Sequence, residues 1–304
     1  MLKEGRGDED LETETLKKNR LTFILTIAAG AAAVLLIVMV LLSIPYFGGE
    51  AEPTVPTAMP TEAPTQAPTE PPTEPEPTLP PPEANPYGQL DFQYDGRYLK
   101  CLRTESVTGI AVSSHQGDID WAQVKASGVD FAIIRIGYRG YESGKIGTDE
   151  YAEANLTGAL EAGLDVGVYF FSQALTLEEV TEEVDFVLDF IKDYEITMPV
   201  VYDWEFVNSE ARTADMDART LPDCSLAFLE AIQVAGYEPM LYFNSYQSQN
   251  LLHLEELKEF DFWLAMYSSR MDYPYKLKMW QYTNEGRVPG IQGNADINVY
   301  FPEG

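Results

Sequence analysis

The chain is short of histidine, cysteine and basic residues, and each shortage removes a class of function. His115 and His253 are its only histidines, which argues against a zinc enzyme, because zinc sites draw on several His or Cys ligands. Cys101 and Cys224 are its only cysteines; they fit one disulfide or two free buried thiols, and the residues alone leave both readings open. Lys and Arg number 20 against 49 Asp and Glu, for a net charge of −29. Such a chain repels phosphate backbones and anionic surfaces, so nucleic acid is excluded as a default partner. No Gly-x-Gly-x-x-Gly or Walker sequence follows any strand-like run, which leaves nucleotide binding without support.

The scarce basic residues are also unevenly placed. Residues 1–20 are charged and end in Lys17-Lys18-Asn19-Arg20, after which no Lys or Arg occurs until Arg97. Residues 21–44 carry no charge and are dense in Leu, Ile, Val and Ala, long enough to cross a bilayer with some tilt. A cleaved signal peptide would have a shorter apolar core behind a brief basic start. The pattern therefore predicts an uncleaved single-pass anchor, with residues 1–20 as a cytoplasmic tail by the positive-inside rule and the remainder extracellular at the cell membrane. From 45 to 86 the chain is a linker, and its 51–86 part is almost wholly Pro, Thr, Glu and Ala in short irregular repeats. It cannot bury apolar surface and favours polyproline II, so a disordered Pro/Thr-rich stalk is expected. At about 3.1 Å per residue, residues 51–86 fully extended reach on the order of 110 Å.

After a short N-terminal extension at 87–107, residues 108–304 alternate strand-like and helix-like stretches. Strand candidates are 109–113, 131–136, 166–171, 200–204, 240–243, 262–266 and 278–282; helix candidates are 121–126, 150–161, 177–192, 222–235 and 254–260. Gly128, Gly163 and Gly236 follow three of the helices where a left-handed cap residue is expected. This alternation predicts a parallel α/β sheet with right-handed crossovers, either a (β/α) barrel or an open doubly wound sheet. The run Pro199-Val200-Val201-Tyr202-Asp203-Trp204-Glu205 reads as a buried strand ending in two carboxylates. Side chains alternate along a strand, so Asp203 and Glu205 share one side, their Cβ atoms about 6.6 Å apart, while Trp204 takes the other. Two acids on one face at a strand end suggest acid/base chemistry, since proximity of like charges raises a pKa at a cost in stability.

Several short motifs, in order, resemble glycoside hydrolase family 25 lysozymes, which are N-acetylmuramidases. They are Val112-Ser113-Ser114-His115-Gln116-Gly117 with Ile119-Asp120-Trp121, Phe131-Ala132-Ile133-Ile134-Arg135 with Gly137-Tyr138, and Gly167-Val168-Tyr169-Phe170-Phe171-Ser172. Asp203-Trp204-Glu205, Trp280-Gln281-Tyr282 and Asp296-Ile297-Asn298 complete the set. The resemblance implies an irregular (β/α) barrel of the TIM type with reduced helices. It further implies hydrolysis of the β-1,4 bond between N-acetylmuramic acid and N-acetylglucosamine in peptidoglycan glycan strands, without metal or cofactor. Glu205 then corresponds to the general acid, Asp203 to its ionised partner, and Asp296 to the acid near the last strand.

One family carboxylate is missing. Where the family reads Gly-Ile-Asp-Val-Ser, this chain has Gly109-Ile110-Ala111-Val112-Ser113. A glycosidase needs a proton donor for the leaving oxygen and a group to stabilise or trap the oxocarbenium-like centre. Asp203 and Glu205 fill both posts, directly or with the substrate's own 2-acetamido oxygen as the trap. Ala111 removes a nearby negative charge, which lowers the proton affinity of Glu205 if that charge normally holds it protonated. The alternative to a muramidase is therefore a non-catalytic peptidoglycan-binding module. Candidate sugar contacts at strand ends are Tyr138, Tyr169, Tyr242, Trp263, Tyr267, Trp280 and Gln281, with barrel packing the competing reading for each aromatic. Arg135 is a candidate ion-pair partner for one of the acids. Residues 21–44 imply the lipid bilayer as the other partner.

Overall fold

The computed structural model describes residues 79–303. The cytoplasmic tail, the apolar 21–44 segment and most of the 45–86 linker lie outside them; among the described residues, no helix is long and apolar enough to cross a membrane. In chain order the elements are β1 (Phe92–Asp95), β2 (Tyr98–Cys101), β3 (Val107–Val112), α1 (Trp121–Ala126), β4 (Phe131–Arg139), β5 (Ile146–Thr148), α2 (Ala152–Glu161) and β6 (Asp165–Ser172). They continue with α3 (Leu177–Ile191), β7 (Val200–Trp204), α4 (Thr220–Val234), β8 (Pro239–Asn244), α5 (Ser245–Asn250), α6 (Leu254–Leu257), β9 (Asp261–Ala265), β10 (Met279–Gly286) and β11 (Ala295–Tyr300).

The main sheet runs β3-β11-β10-β9-β8-β7-β6-β4-β5, and a β3–β4 pairing closes it into a barrel. Seven wall strands are parallel; β11 is antiparallel to both its neighbours, β10 and β3. No helix separates β9 from β10 or β10 from β11, as expected of a barrel with reduced helices. β5 stands outside the ring as an antiparallel partner of the far end of β4. Strand alternation sorts the apolar residues into two sets. Ala111, Ile133, Val201, Met240, Trp263 and Met279 fill the barrel interior. Ile110, Ile134, Val168, Tyr202, Phe243 and Trp280 face outward and form a larger core with the helices and the N-terminal hairpin.

Local chemistry accounts for the element ends. Gly128, Gly163 and Gly236 have φ of 94°, 76° and 90°, the left-handed cap conformation that costs glycine nothing. Thr176 caps α3 by accepting from the Glu179 amide. α3 buries Val180, Glu183, Val184, Val187 and Ile191 along one stripe. The carboxylate in that stripe has partners, Arg139 Nε at 2.7 Å and the Ser172 hydroxyl at 2.7 Å. Burial nevertheless outweighs these contacts and lifts Glu183 to about 7.

Residues 87–107, set apart in sequence as an extension, are part of the body. Tyr87 stacks on Phe301 with ring centres 4.8 Å apart, and Phe92 meets Trp280 edge-on at 5.1 Å. The hairpin β1–β2 turns at Gly96, whose φ of 63° suits a two-residue turn. The final residues of the stretch assigned to the linker are docked as well. Pro82 is buried, the Glu83 carbonyl accepts from the Lys276 amide, and Ala84 bridges Tyr275. Cys101 and Cys224 are both buried and both free, so the two-thiol reading holds.

Candidate active site

The parallel strands end together at one mouth of the barrel, and β11, running the other way, begins there. A cavity of about 730 Å³ opens at this mouth, within the range typical of ligand sites. Asp203 at the end of β7, Glu205 two residues on, and Asp296 at the start of β11 all line it. Asp296, distant in sequence, is thus brought to Asp203 and Glu205 because β7 and β11 meet at the same barrel mouth with inward parity. Ala111 lines the same space and is the cross-strand partner of Asp296. An Asp at that position would stand directly beside Asp296.

Burial dominates the electrostatics. Asp203 is 5% exposed and its Oδ1 has no hydrogen-bond partner. Burial, then the charge of Glu205, raise its proton affinity well above the usual carboxylate range; Arg135 opposes this and Asp296 reinforces it. Glu205 is raised by burial, and Asp296 is lifted to about 6 by burial and by Glu205. The acids titrate as an interacting set. The sequence suggested an ionised Asp203 beside a protonated Glu205, but in the free site the deeper Asp203, with no bonded counter-charge, competes strongly for the proton.

Arg135 lines the cavity but pairs with none of these acids. Its Nε donates to Asp149 Oδ2 at 2.8 Å and its guanidinium also reaches the Ser114 hydroxyl at 3.1 Å. Asp149, which sequence reasoning did not single out, is buried and also accepts from the Ser114 and Tyr151 amides. The guanidinium lies 5.9 Å from the Tyr138 ring centre, placing a cation and an aromatic ring on one wall.

The remaining sequence candidates divide by position. Tyr138 and Tyr169 line the cavity. Tyr242 and Tyr267 both donate to Gln281 Oε1 at 3.2 Å. The charges of Glu205, Asp203 and Asp296 add to burial in raising both tyrosines, so this trio is near the acids without lining the cavity. Trp263 is packed in the barrel interior, its Nε1 donating to Asn298 Oδ1 at 2.9 Å. Trp280 is a correction. It is fully buried on the outer side of the wall and donates to the Met266 carbonyl. Its neighbour Gln281 points inward, and adjacent strand residues cannot face the same side.

Two buried glutamines fix the backbone under the acids. Gln173, after β6, donates from Nε2 to the Glu205 carbonyl at 2.9 Å and accepts from the Thr213 hydroxyl at 2.6 Å. Gln247, in α5, donates to the Trp204 carbonyl and accepts from the Asn244 amide. The ladders of β7 stop at Trp204 on the β6 side and at Asp203 on the β8 side. The side-chain amides thus continue the sheet for one more residue. Their only sequence signal is a polar residue just past a strand end, which is too common to single them out. Among the described residues, no group of three or more His, Cys, Asp or Glu is arranged to hold a metal ion.

Clustered acids at the C-terminal mouth of a barrel that lacks several helices define a glycosidase-like architecture. Residues 110–291, more than half of the chain, match the model for glycosyl hydrolases family 25, and the chain belongs to that family. It is 26% identical over 198 residues to the autolytic lysozyme of Clostridium acetobutylicum, an alignment covering 64% of this chain and 56% of that relative. With lysozyme M1 of Streptomyces globisporus it shares 26% over 217 residues, 68% of this chain and 71% of the relative. Among solved structures it resembles the modular autolysin LytC of Streptococcus pneumoniae in complex with a synthetic peptidoglycan ligand. There the TM-score is 0.57 at 28% identity, covering 65% of this chain and 47% of that one. A family 25 glycosyl hydrolase from Bacillus anthracis shares the fold with a TM-score of 0.55 at 23% identity, covering 69% of this chain and 95% of that one. The chain thus spans only about half the length of the first lysozyme and of the autolysin.

Proposed function

We propose that this chain is a muramidase that hydrolyses the β-1,4 bond between N-acetylmuramic acid and N-acetylglucosamine in peptidoglycan, anchored in the cell membrane by residues 21–44. The observation that carries the reading is the gathering of Asp203, Glu205 and Asp296 in one cavity with proton affinities raised by burial. A carboxyl whose proton affinity is raised by burial is better suited to protonate a leaving sugar oxygen. Glu205, just past β7 and more accessible than Asp203, is the donor. An acetamido N–H of the substrate, donated to Asp203, would stabilise the ionised form of Asp203 and leave the proton with Glu205. The C–O bond then breaks with the proton passing to the leaving oxygen. The cationic carbon is met by the acetamido oxygen or by water, and Glu205 recovers a proton as water adds.

Ala111 favours a second reading, a peptidoglycan-binding module without turnover, because the family's first-strand Asp is absent. Release of reducing ends from cell-wall glycan separates the two. The muramidase reading expects release by the parent and a loss of about 10²- to 10⁴-fold in Glu205→Gln, the scale of general acid catalysis. No release by the parent, with release appearing in Ala111→Asp, would establish the binding reading. For the anchor, protease treatment of intact cells should free a soluble fragment carrying residues 79–304; an inaccessible domain would contradict the proposed orientation.

A further inference from the structure

The loop between β7 and α4 is tied to the connection after β6 and to the one after β4, and the ties meet at Arg212. Its Nη2 donates to Glu179 Oε1 at 2.6 Å and its Nη1 to Glu179 Oε2 at 2.9 Å, a two-pronged pair with the first turn of α3. Nη1 also donates to the Gln173 carbonyl at 3.0 Å. On the other side, the Arg212 amide donates to the Tyr141 carbonyl at 2.9 Å. The guanidinium lies against Gly144, where a Cβ would come within 3.0 Å of its central carbon. The next residue, Thr213, donates to Gln173 Oε1, and Gln173 is the side chain that holds the Glu205 carbonyl.

We propose that Arg212, paired with Glu179, is a positioning residue of this site: it holds the cavity wall at 141–143 in register with the segment that carries Glu205. The kinetic consequences rest on the glycan-cleaving reading given above. Tyr141, Glu142 and Ser143 line the cavity, as do Glu205 and Val207 from the segment that leads to Arg212. Arg212 itself does not line it, so it acts through these neighbours. A shift of Arg212 moves the Tyr141 carbonyl bonded to it and, through Thr213 and Gln173, the backbone of Glu205. The wall that shapes substrate binding and the acid that gives the proton are thus set by one side chain.

The chemistry of the pair suits this work. A planar guanidinium fork matches both carboxylate oxygens, which fixes direction as well as distance, and a lysine cannot reproduce it. Both side chains are 21% exposed, so water screens them less than it would an open surface pair. Burial pushes Glu179 up, but bonds from Arg212 and from the Leu175 amide outweigh it and hold the carboxyl below its usual range. The pair therefore stays ionised while the raised acids of the cavity titrate, and its hold does not change with their protonation.

The test compares the full chain, in detergent, with Arg212→Ala, Arg212→Lys, Glu179→Gln and the Arg212→Ala/Glu179→Gln double variant, by reducing-end release from peptidoglycan and by amide hydrogen exchange. Arg212→Ala should lower kcat by roughly 10- to 100-fold and raise KM severalfold, because acid and wall are both displaced. The pH limbs of kcat/KM should stay in place. Arg212→Lys should recover little of the loss, and the double variant should be no slower than Arg212→Ala, as expected of two groups that act as one. Exchange at the Gly140 and Gly144 amides should quicken by roughly tenfold in Arg212→Ala and in Glu179→Gln, with the barrel strands unchanged. Parent-like kcat and KM in Arg212→Lys, or a fall in Tm with kinetics intact, would overturn the positioning role. If Arg212→Ala does not fold, Arg212→Lys and Glu179→Gln decide by the same readings. A parent that releases no reducing ends sinks the glycan-cleaving reading, and the exchange measurement still judges the clamp: unchanged exchange at Gly140 and Gly144 overturns it.

Discussion

Asp296 and Ala111 face each other across the β11–β3 ladder, so the chemistry of one is set by what stands at the other. An Asp at 111 would add a negative charge beside a carboxyl already raised to about 6, and like charge raises proton affinity further. Ala111→Asp should therefore move the alkaline limb of glycan release to higher pH, read from kcat/KM against pH; a limb that stays in place would show that position 111 is not coupled to the acids. Raised carboxyls also affect stability. A group that binds its proton more tightly folded than unfolded stabilises the fold below its unfolded pKa and loses that contribution as pH rises through its folded value. The Tm of the parent should fall as pH rises from about 4 to about 7, through the folded value of about 6 for Asp296, and Asp296→Asn should flatten that fall. Residue parity was the signal that sequence reading used well at Asp203 and Glu205 and overlooked at Trp280 and Gln281. Strand alternation excludes that adjacent pair from one face.

At the level of elements, the acids depend on a segment that belongs to no strand. Glu205 lies beyond β7, and its carbonyl and that of Trp204 are held by Gln173 and Gln247 from the two flanking connections. Gln173→Ala and Gln247→Ala should lower kcat by roughly 10- to 100-fold with KM little changed, because an acid displaced by an ångström loses its line to the leaving oxygen. A fall in Tm with kcat intact would make them packing residues only. The parallel strands were legible because each is a continuous apolar run bounded by turns. β11 was not, since Asp296 and Asn298 put polar groups inward and break that pattern. β5 is three residues long, too short for any periodicity to show. The β1–β2 hairpin had a signal in Gly96, a glycine at the first position of the two-residue turn between Asp95 and Tyr98, but its strands follow so closely on the Pro-rich stretch that the region read as an extension.

For the molecule as a whole, the N-terminal hairpin closes the outer core on the side where the barrel lacks helices. Leu99 and Tyr98 are 1% and 4% exposed, and the Leu99 amide donates to the Tyr282 hydroxyl at 3.3 Å. A fragment beginning at residue 108 should lose several kcal/mol relative to residues 79–304, since each large side chain stripped from such a cover forfeits about 1.5–3 kcal/mol of burial. Equal urea midpoints for the two fragments would show the hairpin to be an ornament. The fold class was legible because helices and strands alternate along the chain. The site was legible only in part, since the convergence of β7 with β11 is a property of barrel closure and not of any one segment. The most direct test of the central claim is to digest purified peptidoglycan with the protein, reduce the new ends and identify them by mass spectrometry. The account predicts reduced N-acetylmuramic acid ends that vanish with Glu205→Gln. Reduced N-acetylglucosamine ends, or muramic ends undiminished in that variant, would contradict it.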